Sequence, residues 1–198
     1  MIVCTFDTET TGLLKDPMAR VVEIGVVKHD IETGKIYDTL NFLVKPSDNV
    51  MAFQNFKIPE QFCGISKEQI MEGCDYITAI RKFCNFVGNN LVYAWNLPFD
   101  QRMMMRFVDD AIHSEGDVVS ALSWMQKIRW GGCWQHMYAF SNVSSGNTVR
   151  FDDGQLKTIS MRDTIKLEGW EGEQQHRALA DALLAAKIGH KLFKQLNK

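Results

Sequence analysis

The chain has 198 residues, 45% of them hydrophobic and 23% charged, which fits one globular domain, or one domain with an insertion, able to bury a core without covalent staples. A net charge of −2 excludes a broadly basic surface that holds nucleic acid non-specifically, while leaving room for a local groove or a metal site that receives a phosphate. The five cysteines, Cys4, Cys63, Cys74, Cys84 and Cys133, are odd in number and show no C-x-x-C spacing, so they read as free thiols of a reducing compartment.

The N-terminus runs directly into an apolar stretch, with no signal-peptide pattern, and no segment approaches the roughly 18 apolar residues of a membrane span. The expected location is cytoplasmic, without a membrane partner. Residues 2–8 predict a first strand, 20–30 a second and 35–46 a third that ends at a proline. Thr33-Gly34 marks the turn between the last two, so the three form an antiparallel meander. Ser66 followed by Gln69 predicts a capped helix start. A second helix is expected over 75–87, stopping near Gly88, then a short buried strand over 90–95. Pro98 stands where a helix can begin, and 99–113 is rich in helix formers. A further amphipathic stretch covers about 118–129. Between 130 and 163, Gly131-Gly132, "SSGN" and "DDG" punctuate short alternating runs and suggest one or two hairpins. Residues 176–196 predict a long Ala/Leu-rich helix. Strands first and helix–strand units later indicate an α/β domain with a mixed sheet.

The first strand ends in "FDTETTG", residues 6–12. Side chains alternate along a strand, so Asp7 and Glu9 share a face. Two adjacent anions repel unless water screens them or a cation lies between them. On the last helix, Asp181 falls in the same arc as Ala185, Ile188, Leu192 and Leu196, and therefore faces the body of the protein. An inward carboxylate needs a metal, an ion-pair partner such as Arg162, or the helix N-terminal dipole. His176, five residues earlier, would lie about 140° away on a continuous helix. It can converge with Asp181 only from the preceding loop, for which the polar "EGWEGEQQ" is suited. Asp100 and Asn96 flank the start of the helix after the fourth strand, where ordinary capping would also explain them. In open α/β sheets such strand and helix ends gather at one edge, where ligands bind.

"FDTETTG", "WNLPFD" and "HRALADA", in that order, resemble the three motifs of the DEDDh family of 3′–5′ exonucleases, which includes epsilon-type proofreading subunits and RNase T-like enzymes. Matches extend from residue 2 to about 188, and "FCGISKEQIMEG" at 62–73 also resembles the family. The resemblance implies a ribonuclease-H-like fold, a five-stranded mixed sheet flanked by helices, in a single exonuclease domain over 1–198 with an irregular insertion at about 114–160. It implies that Asp7, Glu9, Asp100 and Asp181 hold two divalent ions, Mg²⁺ or in substitution Mn²⁺, and that His176 is the general base. Thr10 and Leu13 match positions that touch the terminal nucleotide, and Asn96 the amide that supports the second motif. Trp95 stands where many members carry histidine, which implies altered substrate contacts rather than lost activity. The segment from Asp163-Thr164-Ile165-Lys166-Leu167 to His176 is shorter than usual.

The implied reaction is hydrolysis from a nucleic-acid 3′ end, with single-stranded DNA favoured, RNA an alternative, and a polymerase or replication protein the expected partner. A non-catalytic nucleic-acid-binding module and an endonuclease of the wider ribonuclease-H-like group are competing readings. Trp95, Trp124, Trp130 and Trp134 are expected to pack the insertion against the domain rather than stack bases. Lys187, Lys191 and Lys194 are expected to form a solvated face.

Overall fold

The computed structural model describes residues 1–51, 63–112, 118–144, 159–170 and 174–197. Strands β1 (Ile2–Thr10), β2 (Val21–Asp30), β3 (Ile36–Leu43), β4 (Leu91–Ala94) and β5 (Arg129–Cys133) form one sheet in the order β3-β2-β1-β4-β5. The first three pair antiparallel, as the meander predicts, and β4 and β5 join in parallel. The helices are α1 (Asp48–Met51), α2 (Lys67–Met71), α3 (Tyr76–Val87), α4 (Leu97–Ile112), α5 (Val118–Gln126), α6 (Trp134–Ser144), α7 (Met161–Leu167) and α8 (Ala178–Leu196).

Alternation along β1 divides the core. Cys4 and Phe6 face one layer, where they pack with Ala79, Ile80 and Phe83 of α3 and Met103, Met104 and Phe107 of α4. Val3 faces the other, among Trp134 and Tyr138 of α6, Ile165 of α7, and Ile188 and Leu192 of α8. The middle of the sheet is thus buried on both sides, as parallel pairing at β4 requires, while the edge strand β3 is largely exposed. Local signals behave as their chemistry dictates. Ser66 and Gln69 make both halves of a capping box, Asp75 caps α3, and Gly88 ends it with φ +53°. Pro98 is the second residue of α4.

The expected hairpins between 130 and 163 are not what the described part of that stretch forms. Residues 134–144 are helical, ending at the first serine of "SSGN", and 145–158, with the rest of that run and "DDG", lie outside the described residues. Gly131 and Gly132 belong to β5 rather than to a turn. Gly131 is small because Tyr93 crosses it: a Cβ there would lie 2.6 Å from the Tyr93 ring, whereas one on Gly132 would make ordinary contact at 3.5 Å. The described parts of 114–160 are accordingly regular rather than irregular. Packing of the tryptophans is observed for Trp95 and Trp134, 7% and 1% exposed. Trp134 stacks on Tyr93 at 4.2 Å and donates from Nε1 to Thr5 Oγ1 at 3.2 Å. Two of the three lysines of α8 are not merely solvated. Lys191 pairs with Glu168, and Lys187 lies 3.9 Å over the Trp170 ring, so both fasten the end of α7 to α8. Leu196 is 54% exposed, so the inward arc expected for this helix ends at Leu192, which is 1% exposed. The five thiols are free. Among the described residues, no helix is long and apolar enough to cross a membrane.

Candidate active site

β1 brings Asp7 and Glu9 to the α8 side of the sheet, on the same face as Val3. Its partner β2 sets Gly25 beside Asp7 and Glu23 beside Glu9. Gly25 is what lets α8 reach them. A Cβ there would lie 2.2 Å from the Leu179 nitrogen and 2.3 Å from the Ala178 carbonyl carbon, both main chain. The first turn of α8 therefore rests directly on β2, and Asp181, in that turn, arrives at the end of β1. Ligand oxygens of Asp7, Glu9 and Asp181 all lie within 4.8 Å of one another.

Asp100 is held from the opposite face. Thr8, between the two acids of β1, points toward α4 and donates to Asp100 Oδ1 at 2.7 Å. Asp100 and Asp181 are each 3% exposed. Asp181 accepts from Gln174 Nε2 at 2.7 Å, which takes the place expected for Arg162, an exposed residue. His176 is half-buried just before α8, with φ +51°, the one left-handed non-glycine among the described residues. Such a conformation disfavours a Cβ and persists only where surrounding structure imposes it. It also takes His176 off the helical track that would have separated it from Asp181, whose carboxyl feels the imidazole's charge.

The electrostatics follow from crowding. Desolvation, then the charges of Asp100, Asp181 and Glu9, push the Asp7 carboxyl well above its ordinary range. Desolvation, with Asp181 and Glu23, pushes Glu9 up to about 8. Burial pushes Asp100 up to about 7 against the Thr8 hydrogen bonds, and raises Asp181 as well. Four acids that resist ionising together form a site that favours protons or a cation. The clustered donors are all carboxylate oxygens, a hard set that fits Mg²⁺ or Mn²⁺ rather than zinc.

The three residues expected at the substrate are more peripheral. Thr10 ends β1 and donates to the Gly12 carbonyl at 2.8 Å. Leu13 is 60% exposed in the following loop, which Arg106 of α4 fastens through the carbonyls of Leu14, Asp16 and Ala19. Asn96 is exposed, and its carbonyl accepts from the amides of Phe99 and Asp100 at the start of α4. Trp95 turns away under α6, beside Tyr138.

No protein-family model matches the chain. Solved structures share its fold: Escherichia coli exonuclease I in complex with a dT13 oligonucleotide superposes with a TM-score of 0.71 at 17% identity, over 99% of this chain and 42% of that one. The nuclease domain of 3′hExo, a DEDDh family member bound to rAMP, gives 0.65 at 16% identity, over 98% and 92%. In sequence, the PolC-type DNA polymerase III of Thermotoga maritima is 24% identical over 193 residues, 97% of this chain. The epsilon subunit of DNA polymerase III from Rickettsia prowazekii is 32% identical over 100 residues, half of this chain and 40% of that protein. The chain thus resembles DEDDh-type exonucleases in fold and DNA polymerase III proteins of the PolC and epsilon types in sequence. It spans about 12% of the length of the PolC-type relatives it matches.

Around this acidic cluster, sequence reasoning did not single out Thr8, Glu23, Gly25 or Arg177. Thr8 and Gly25 look like ordinary strand residues, and only their partners across the fold give them work. Glu23 carried a usable signal. A carboxylate inside "VVEIGVV" sits in an otherwise apolar strand, where burial demands a partner.

Proposed function

We propose that the chain hydrolyses phosphodiester bonds one nucleotide at a time from the 3′ end of single-stranded DNA, using divalent metal. The convergence of Asp7, Glu9 and Asp181 within 4.8 Å carries this reading. Asp7, Glu9 and Asp181 would hold one ion, and Asp7 with Asp100 a second. Bound Mg²⁺ or Mn²⁺ would supply acidification of the attacking water and charge neutralisation at the phosphate and departing oxygen.

The remaining work falls to the chain itself. His176 takes the proton of the water that attacks phosphorus, a role suited to imidazole near neutral pH. The bond to the O3′ of the penultimate nucleotide breaks, releasing a nucleoside 5′-monophosphate and a shortened 3′-hydroxyl end. Leu13 offers an apolar surface at the rim to the terminal nucleotide, and Thr10 and Asn96 flank it. Trp95, buried where many members carry histidine, contributes packing rather than a substrate contact. The polymerase relatives make a replicative polymerase the proposed partner class, with the single domain over 1–198 acting as its trimming module.

The test uses 5′-labelled single-stranded DNA, duplex DNA and RNA with Mg²⁺. Progressive shortening from the 3′ end with mononucleotide release is expected, fastest on single-stranded DNA. A preference for RNA would make the protein an exoribonuclease. Internal cuts would make it an endonuclease. Binding without shortening, in Mg²⁺ and in Mn²⁺, would leave only the non-catalytic module.

A further inference from the structure

A second charged cluster lies beside the acids. Glu23 of β2 is 0% exposed, and its carboxylate collects donors from three places. Arg177 approaches side-on, with Nε 3.0 Å from Oε2 and Nη2 2.6 Å from Oε1. The Ala178 amide donates to Oε2 at 3.0 Å, and Asn41 Nδ2 to Oε1 at 3.1 Å. Burial alone would raise the Glu23 carboxyl, yet these bonds hold it below its ordinary value, so it is ionised and matched.

This arrangement does something that α8 cannot do for itself. Arg177 occupies the N-cap position and makes no side-chain cap bond, so the first helical amide, Ala178 N–H, has no partner from its own helix. Glu23 supplies that partner from the sheet. The same carboxylate holds the side chain of Arg177, the residue between left-handed His176 and the helix. Both sides of the 176–178 backbone are therefore tied to β2 one strand away from Glu9, Glu23's register neighbour.

We infer that Glu23 and Arg177 are positioning residues: the buried clamp they form with the Ala178 amide sets the turn that presents His176 and Asp181 to Asp7 and Glu9. This rests on the proposed exonuclease reading for its catalytic consequence, but not for its geometry. A bidentate guanidinium–carboxylate pair fixes orientation as well as distance, and lysine at 177 keeps the charge while losing the fork.

The test compares the full chain with Glu23→Gln and Arg177→Lys variants. Three readouts are taken well below each melting temperature: kcat and KM for 3′ trimming, Mn²⁺ affinity by calorimetry without nucleic acid, and deuterium exchange at the amides of 178–181. We expect kcat to fall at least tenfold with KM within threefold, Mn²⁺ affinity to weaken several-fold, and the Ala178 amide to exchange faster, with the Arg177→Lys variant intermediate. Variants that melt lower yet keep kcat, Mn²⁺ affinity and exchange within twofold of the parent would reduce the clamp to a structural tie and overturn the inference. If Glu23→Gln does not fold, Arg177→Lys alone decides by the same criteria. A parent chain that trims neither DNA nor RNA would sink the exonuclease reading, while Mn²⁺ affinity and amide exchange would still judge the clamp.

Discussion

Replacing Gly25 with alanine adds one methyl group at the point where α8 meets β2. That Cβ would start 2.2 Å from the Leu179 nitrogen and 2.5 Å from its Cα, where ordinary contact begins near 3.4 Å. Both atoms are main chain, so no side chain can swing aside, and the helix start must retreat by about 1.2 Å, in a core of near-crystalline packing. Forced overpacking of this kind costs about 1–3 kcal/mol. At roughly 3 °C per kcal/mol for a chain of this size, the melting temperature should drop by about 3–9 °C. The catalytic consequence should be larger than the thermal one. Asp181 lies two residues beyond Leu179 and moves with it, away from Asp7 and Glu9. A misplacement of about 1 Å costs on the order of 10²-fold in rate. Calorimetric melting, Mn²⁺ titration and timed trimming of labelled single-stranded DNA at 25 °C read the three effects. A Gly25→Ala protein with unchanged melting, Mn²⁺ affinity and rate would show that α8 does not rest on β2 as described, and the account of how Asp181 reaches the site would fall with it.

Other expectations address the acids and the histidine. Asp7→Asn should abolish trimming and raise the melting temperature of the metal-free protein by relieving a desolvated, mutually repelling cluster; a lower metal-free melting temperature would contradict that origin of the strain. The pH dependence follows from the same crowding. Glu9 and Asp100 have folded values raised to about 8 and about 7, above their unfolded values, so the folded state binds more protons between about pH 4 and 8. Stability of the metal-free protein should therefore be full below that window and decline as pH rises through it. Saturating Mn²⁺ should flatten the decline, and parallel melting curves with metal and with chelator across pH 5–9 would refute the linkage. His176→Ala and His176→Gly should be equally slow while binding Mn²⁺ alike. The glycine variant should be more stable by about 1 kcal/mol, because φ +51° suits it; urea denaturation compares them. Trp134→Phe should cost about 0.5–1.5 kcal/mol by urea denaturation through the lost hydrogen bond to Thr5, which keeps its bond with His29, with the trimming rate unchanged in the folded protein.

Much of the scaffold was legible in the chain because its signals are local. Apolar runs bounded by turn residues mark β1 to β3, Ser66–Gln69 and Asp75 start their helices, and Gly88 stops one. The period of β1 alone puts Asp7 and Glu9 on one face, and helical period alone turns Asp181 inward. The motif order then supplied the expectation that these acids meet, which no local pattern contains. Gly131 and Gly132 misled for the converse reason. A glycine pair suits a turn or a close approach equally, and only the Tyr93 ring decides which.

What tertiary structure decided was how separate segments settle against one another. That Gly25 admits a helix, that Thr8 reaches through to Asp100, and that Glu23 caps α8 while gripping Arg177 are relations across 92 to 155 residues of chain. Hydrogen bonds and packing act over a few ångströms in space, regardless of separation in sequence. The residue types of the site were therefore written in the sequence, while its geometry exists only once β2 and α8 have met.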